Sequence, residues 1–230
     1  MLFRSLDSGT GGENTAKELR RLGSRADILL YLDREHAPYG ERSEEELVPL
    51  VEHGIETLRE RGAERVLLAC CTASSAYARL SPLAREISIP IIEPTARYAL
   101  RISGGGRILL MATERTVASG EFSRLLGDRL ALSIPAPRLV RLIDGGASDR
   151  CATREVQDYL EELLSPIGEL DASVIILGCT HFSSLAQEIR RAAEKITKNK
   201  ILIADSARIS AKTLIESGAK PSGVGQIIRI

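Results

Sequence analysis

The chain contains no tryptophan and only 3% aromatic residues, which argues against base-stacking platforms and aromatic carbohydrate sites. An excess of charge is missing as well, because 31 Lys and Arg balance 31 Asp and Glu. No strong field exists to recruit nucleic acid or an anionic membrane, so any ligand must be held by a local site. No apolar run approaches the ~20 residues needed to span a bilayer, and residues 1–7 lack the apolar segment of a signal peptide. A soluble cytoplasmic protein with no membrane or nucleic-acid partner is expected. Cysteine is sparse: Cys70, Cys71, Cys151 and Cys179 are too few for a disulfide framework, and two are adjacent. Free thiols are expected.

What the sequence does contain is alternation. Short apolar runs rich in branched residues, at 28–32, 66–70, 89–92, 108–111, 174–177 and 201–204, read as buried strands. Segments 43–61, 116–126, 153–164 and 182–196 carry helical spacing, and Ser43 with Glu46 forms a capping box. The pattern predicts an α/β fold with mainly parallel strands. At 230 residues the chain can hold one large domain or two modest ones, and two are favoured here. The Gly104-Gly105-Gly106 run suggests a flexible connection near residue 100. The halves look alike, since the strand at 66–70 ends in Cys70 and the strand at 174–177 runs into Cys179, each with Thr close behind. In parallel sheets the functional crevice lies beyond the carboxyl ends of the strands, where both cysteines fall.

Several segments carry chemistry, each with a plainer alternative. Asp7-Ser8-Gly9-Thr10-Gly11-Gly12 places an acid and a hydroxyl before a glycine-rich turn whose N–H groups can hold a carboxylate. An ordinary strand-to-helix turn with a capping Asp or Ser accounts for it equally well. Cys70 stands where a helix begins, a place that lowers a thiol pKa, yet a free Cys is often a small buried apolar group. Nothing local explains a second reactive thiol at Cys71. Gly178-Cys179-Thr180-His181 brings a thiol, a hydroxyl and an imidazole together, and His181 could set the protonation of Cys179. A zinc site from Cys70, Cys71, Cys179 and His181 lacks paired Cys-x-x-Cys spacing, so no metal is expected. The loop from His36 through Pro38-Tyr39-Gly40 to Ser43 could aim backbone amides at a ligand or be a surface connection. Glu44, Glu45, Glu46, Arg190 and Arg191 read as solvated helix faces, and Cys151 as structural.

Taken in order, these pieces resemble the aspartate/glutamate racemase family over nearly the whole chain. Asp7 to Gly12 match its Asp-Ser-Gly-x-Gly-Gly opening, and Pro38-Tyr39-Gly40 its Pro-Tyr-Gly loop, with Asp33 at the usual distance before it. Ala69 to Ala73 correspond to Ala-Cys-Asn-Thr-Ala, Ala112 to Thr116 to Gly-Thr-x-x-Thr, and Leu177 to His181 to Leu-Gly-Cys-Thr-His. Thr-His points to the glutamate branch. The resemblance implies two similar α/β domains with pseudo-twofold symmetry, 1–97 plus 206–230 and 98–205, and a substrate cleft between them. It implies racemisation of glutamate without pyridoxal phosphate or any other cofactor, supplying D-glutamate for peptidoglycan in a bacterial cytoplasm. A homodimer is allowed. Cys70 and Cys179 would exchange protons with opposite faces of the α-carbon, with Asp7 and His181 as their respective auxiliaries. Ser8, Pro38, Tyr39, Gly40, Cys71, Thr72, Thr113, Thr116 and Thr180 would hold the substrate.

Three departures are visible. Cys71 replaces the family's Asn, an amide that donates and accepts. Ala136-Pro137 and Asp144 stand where the family has Cys-Pro and a glutamate, which makes Asp144 a shortened candidate auxiliary acid. Ala112 replaces a glycine. Asp7 lies so near Met1 that the N-terminal extension of activator-dependent members has no room, and activity without such an activator is expected. The rivals are a racemase, isomerase or decarboxylase for another amino acid or dicarboxylate, and a degenerate racemase that only binds.

Overall fold

The structure, a computed structural model, describes residues 3–147, 154–168, 170–216 and 225–230. Cys151 lies outside them. The described strands are β1 (Phe3–Asp7), β2 (Ile28–Leu32), β3 (Val66–Leu68), β4 (Ser88–Pro90), β5 (Arg107–Ala112), β6 (Leu130–Pro135), β7 (Ala172–Gly178), β8 (Leu202–Asp205) and β9 (Ile227–Arg229). They make two sheets, ordered β4-β3-β1-β2-β9 and β6-β5-β7-β8, and every pairing is parallel. Strands buried on both faces read as continuous apolar runs, as Leu109 to Leu110 and Val174 to Leu177 do.

The described α-helices are α1 (Thr10–Arg21), α2 (Glu44–Glu60), α3 (Cys71–Ser75), α4 (Pro82–Ile87), α5 (Ile92–Ile102), α6 (Glu114–Ala118), α7 (Glu121–Leu126), α8 (Pro137–Leu142), α9 (Arg154–Leu164), α10 (Ala186–Thr197) and α11 (Ser206–Glu216). The Ser43 capping box is present: the Ser43 hydroxyl accepts from Glu46 N–H, and the Glu46 carboxylate accepts from Ser43 N–H. The single helix expected over 116–126 is two. Thr113 caps α6 by accepting from Thr116 N–H, and Gly120, at φ +69°, breaks the run before α7. The strand expected at 89–92 ends at Pro90, and Ile92 already opens α5, whose Pro94 sits in the first turn where no intrahelical N–H is needed.

One apolar core joins the sheets. Leu30 and Leu67 of the first sheet, Ile92, Ala96 and Ala99 of α5, and Ile108, Leu110 and Ile176 of the second belong to one buried cluster. The glycine run forms a turn: Gly104 and Gly105 are exposed at φ +55° and +98°, and a Cβ on Gly106 would lie 2.3 Å from Ser173 Oγ. Because all strands are parallel, the ends carrying Asp7, Cys70, Thr113 and Cys179 gather on one side.

Candidate active site

Between the two sheets lies a narrow cavity of about 40 Å³, lined by both thiols, Cys70 and Cys179. Asp144 and His181 form part of its wall, as do Ser8 and the Pro38-Tyr39-Gly40 loop, with Thr72 and Thr113 beside them. The loop is held from behind. Tyr39 O–H donates to Asp33 Oδ2 at 2.7 Å, and His36 Nδ1 lies 2.8 Å from Asp33 Oδ1. Gly40 is required by close approach, since a Cβ there would meet Thr113 Cβ at 2.8 Å.

Each thiol has its own surroundings. Ser8 Oγ is 3.9 Å from Cys70 Sγ. Asp7 is fully buried behind it and accepts hydrogen bonds from Gly9 N–H at 3.0 Å and Thr180 O–H at 3.1 Å. On the other side, His181 Nδ1 lies 3.7 Å from Cys179 Sγ, and His181 Nε2 lies 3.6 Å from Asp144 Oδ1. Thr10 O–H donates to that same Asp144 oxygen at 2.8 Å. Asp144 therefore does reach the site, as part of a thiol–imidazole–carboxylate line.

Burial decides the electrostatics. The Cys70 thiol is pushed up to about 12, chiefly by desolvation and then by the nearby Asp7 charge, against the pull of the Ala73 and Thr72 N–H groups and Ser8. Cys179 is raised well above the usual thiol value by desolvation and by Cys70. The expected lowering by a helix N-terminus is thus present at Cys70 but outweighed, partly because α3 is one short turn. Desolvation also raises Asp7, with His181, the Gly9 N–H and Thr180 opposing it.

Three residues expected to touch substrate do not line the cavity. Cys71 is 1% exposed and packs in the core with Leu67, Ala69 and Ile91, because one helical step turns it away from the face shared by Cys70 and Thr72. Thr116 lies behind the wall, bonded to Thr72 at 3.2 Å and Thr113 at 2.9 Å in a triangle of hydroxyls. Thr180 spends its hydroxyl on Asp7. Conversely, Glu41, Glu114, Pro137 and Val140 line the cavity. Sequence motifs signal only Pro137, by its match to the family's Cys-Pro segment. Glu41 pairs with Arg141 across the mouth at 2.5 Å. Among the described residues, no group of three or more His, Cys, Asp or Glu is arranged to hold a metal, and no helix is long and apolar enough to cross a membrane.

Comparison with known proteins agrees with this architecture. The sequence profile of the Asp/Glu/hydantoin racemases matches residues 13–214. The glutamate racemase of Desulforudis audaxviator is 36% identical over 190 residues, 80% of this chain and 68% of the relative. A glutamate racemase isoform from Bacillus anthracis superposes with TM-score 0.83 at 28% identity, over 99% of this chain and 86% of the other. The enzyme from Thermus thermophilus, solved with β-chloro-D-alanine, gives 0.81 at 28% identity, again over 99% and 86%. The fold and its cleft are those of an isomerase acting on amino acids. The chain belongs to the Asp/Glu/hydantoin racemase family.

Proposed function

We propose that this enzyme interconverts L- and D-glutamate by a two-thiol mechanism that calls for no cofactor. The observation that carries the reading is the placement of Cys70 and Cys179 on one cavity, at the ends of strands from two different parallel sheets. One thiolate takes the α-proton and becomes a thiol. The electron pair left on the α-carbon is delocalised into the α-carboxylate, and the opposite thiol gives its proton to the other face and becomes the thiolate. Atoms balance, and the two sulfurs exchange protonation states. Because burial raises both thiols, ionisation needs a compensating charge, which the substrate ammonium group supplies on binding. His181, backed by Asp144, tunes Cys179, while Asp7 and Ser8 tune Cys70. Amides of the Pro38-Tyr39-Gly40 loop and the hydroxyls of Ser8, Thr72 and Thr113 hold the carboxylates.

The same reading divides the chain into 1–97 plus 206–230 and 98–205, supported by the pairing of β9 with β2. It places the enzyme in a bacterial cytoplasm supplying D-glutamate for cell-wall peptidoglycan. Proton NMR in heavy water tests it with a panel of L- and D-amino acids. Loss of the glutamate α-proton signal, with appearance of the mirror-image form, is expected. Exchange on another amino acid alone, or on none, overturns the assignment.

A further inference from the structure

One face of α1 is turned toward the second sheet, and it reads at helical spacing. Thr10 donates to Asp144, Gly11 makes the closest approach, and Asn14, four residues after Thr10, donates through Nδ2 to the carbonyl oxygen of Thr180 at 2.9 Å. Because the acceptor is a carbonyl, only the amide nitrogen of Asn14 can face it. Thr180 is consequently gripped from two directions by the first half of the molecule. Its hydroxyl is committed to Asp7 and its carbonyl to Asn14. A Cβ on Gly11 would stand 2.3 Å from Thr180 Oγ1, so nothing larger than glycine lets the helix come this near.

Thr180 directly follows Cys179, whose own carbonyl accepts from Phe182 N–H at 3.0 Å. The peptide unit that carries the second thiol is therefore fixed on one side by its own turn and on the other by α1. We propose that Asn14 is a positioning residue: acting through Thr180, it sets where the Cys179 thiol stands relative to the cleft and to Cys70. Asn14 does not line the cavity and touches no reacting atom. Its role rests on the two-thiol reading, in which a small error in the place of one proton carrier is costly.

The test uses two variants of the full chain. Asn14→Ala removes the donor, and Asn14→Asp keeps the shape but sets a carboxylate oxygen against the Thr180 carbonyl. Two readouts are taken below the melting temperature of each variant. The first is site-resolved alkylation of Cys179 and Cys70 as a function of pH, which needs no substrate. Both variants are expected to change the Cys179 rate by about fivefold or more while leaving Cys70 within about twofold. The second is steady-state kinetics with glutamate, where kcat is expected to fall about tenfold, equivalent to about 1.4 kcal/mol of barrier, with KM little changed. Wild-type values for either readout overturn the proposal, as does an Asn14→Asp variant that behaves like the parent, since shape alone would then suffice. Equal changes at Cys70 and Cys179 also overturn it, because they indicate general loosening. If the wild-type chain shows no exchange on glutamate, the functional assignment fails while the alkylation arm still decides the role of Asn14.

Discussion

Ionisation of Cys70 in the free enzyme provides a demanding test of the burial argument. With its thiol pushed up to about 12, only about one molecule in ten thousand carries the thiolate at pH 8. A thiol with the ordinary value near 9.0 is ionised in about one molecule in ten under the same conditions. Since only the thiolate reacts, alkylation of Cys70 in the folded enzyme should run about a thousandfold slower than in the chain unfolded in guanidinium. Restricted access would also slow the reaction, so the pH dependence is the deciding measurement. Peptide-resolved mass spectrometry should show the Cys70 rate climbing about tenfold per pH unit through pH 10 and 11. A plateau near pH 9 would mean that the thiol ionises normally and is merely shielded, which would falsify the argument from desolvation. Stability must follow with a definite sign. The folded-state value lies above the unfolded one, so the folded protein retains a proton that the unfolded chain releases. The stabilisation is fully present below about pH 9 and is lost as pH rises toward 12. Cys70 alone accounts for about 4 kcal/mol over that interval, and Cys71 and Cys179 shift in the same direction.

Three further outcomes are expected. Cys70→Ser and Cys179→Ser should each abolish racemisation in both directions in a coupled assay, because a hydroxyl is a far weaker acid; near-normal turnover in either removes the two-thiol mechanism. Gly11→Ala gains about 1 kcal/mol of helix propensity, but its methyl would overlap Thr180 and crowd His181 Nδ1 at 2.9 Å. The overlap costs about 1–3 kcal/mol, so the net loss is up to about 2 kcal/mol and melting should fall by several degrees at most, while kcat falls by about a hundredfold. Cys71→Asn should lower stability by about 1–3 kcal/mol by burying an amide that its polar neighbour Ser206 cannot fully satisfy, without improving the KM for glutamate, as thermal unfolding and steady-state kinetics would show.

Local motifs were the legible part of the site. Asp7 ends one buried strand and Cys70, Cys179 and His181 follow others, and parallel pairing gathers such ends within each sheet, so that much of the grouping is readable in the chain pattern. Asp144 was harder to place, because its approach to His181 depends on how the short turn after α8 is set. The direction of Cys71 depends on helical phase at the first residue of α3, where a single step separates cavity from core. The sign of the Cys70 shift was hidden for another reason: an N-terminal helical turn can be read in sequence, but the depth of burial opposing it cannot. β6 leaves little mark in the sequence because Leu130 to Ser133 are only half-buried, and β9 because its pattern is three residues long. Asn14 carries no chemical signature; its importance comes from the carbonyl it happens to reach.

The enclosure of both thiols in one narrow slot has a consequence for sustained turnover under the two-thiol reading. The sulfur left charged as product departs is the wrong one for another molecule of the same hand, and burial drives it to take back a proton. Before the next identical cycle a proton has to reach that sulfur and another has to leave its partner, through the few waters that a cavity of about 40 Å³ can hold. At high substrate concentration this resetting, and not bond breaking, becomes the slow step. The enzyme would then remember which enantiomer it last made: a labelled product pool should exchange back into substrate faster than net conversion proceeds.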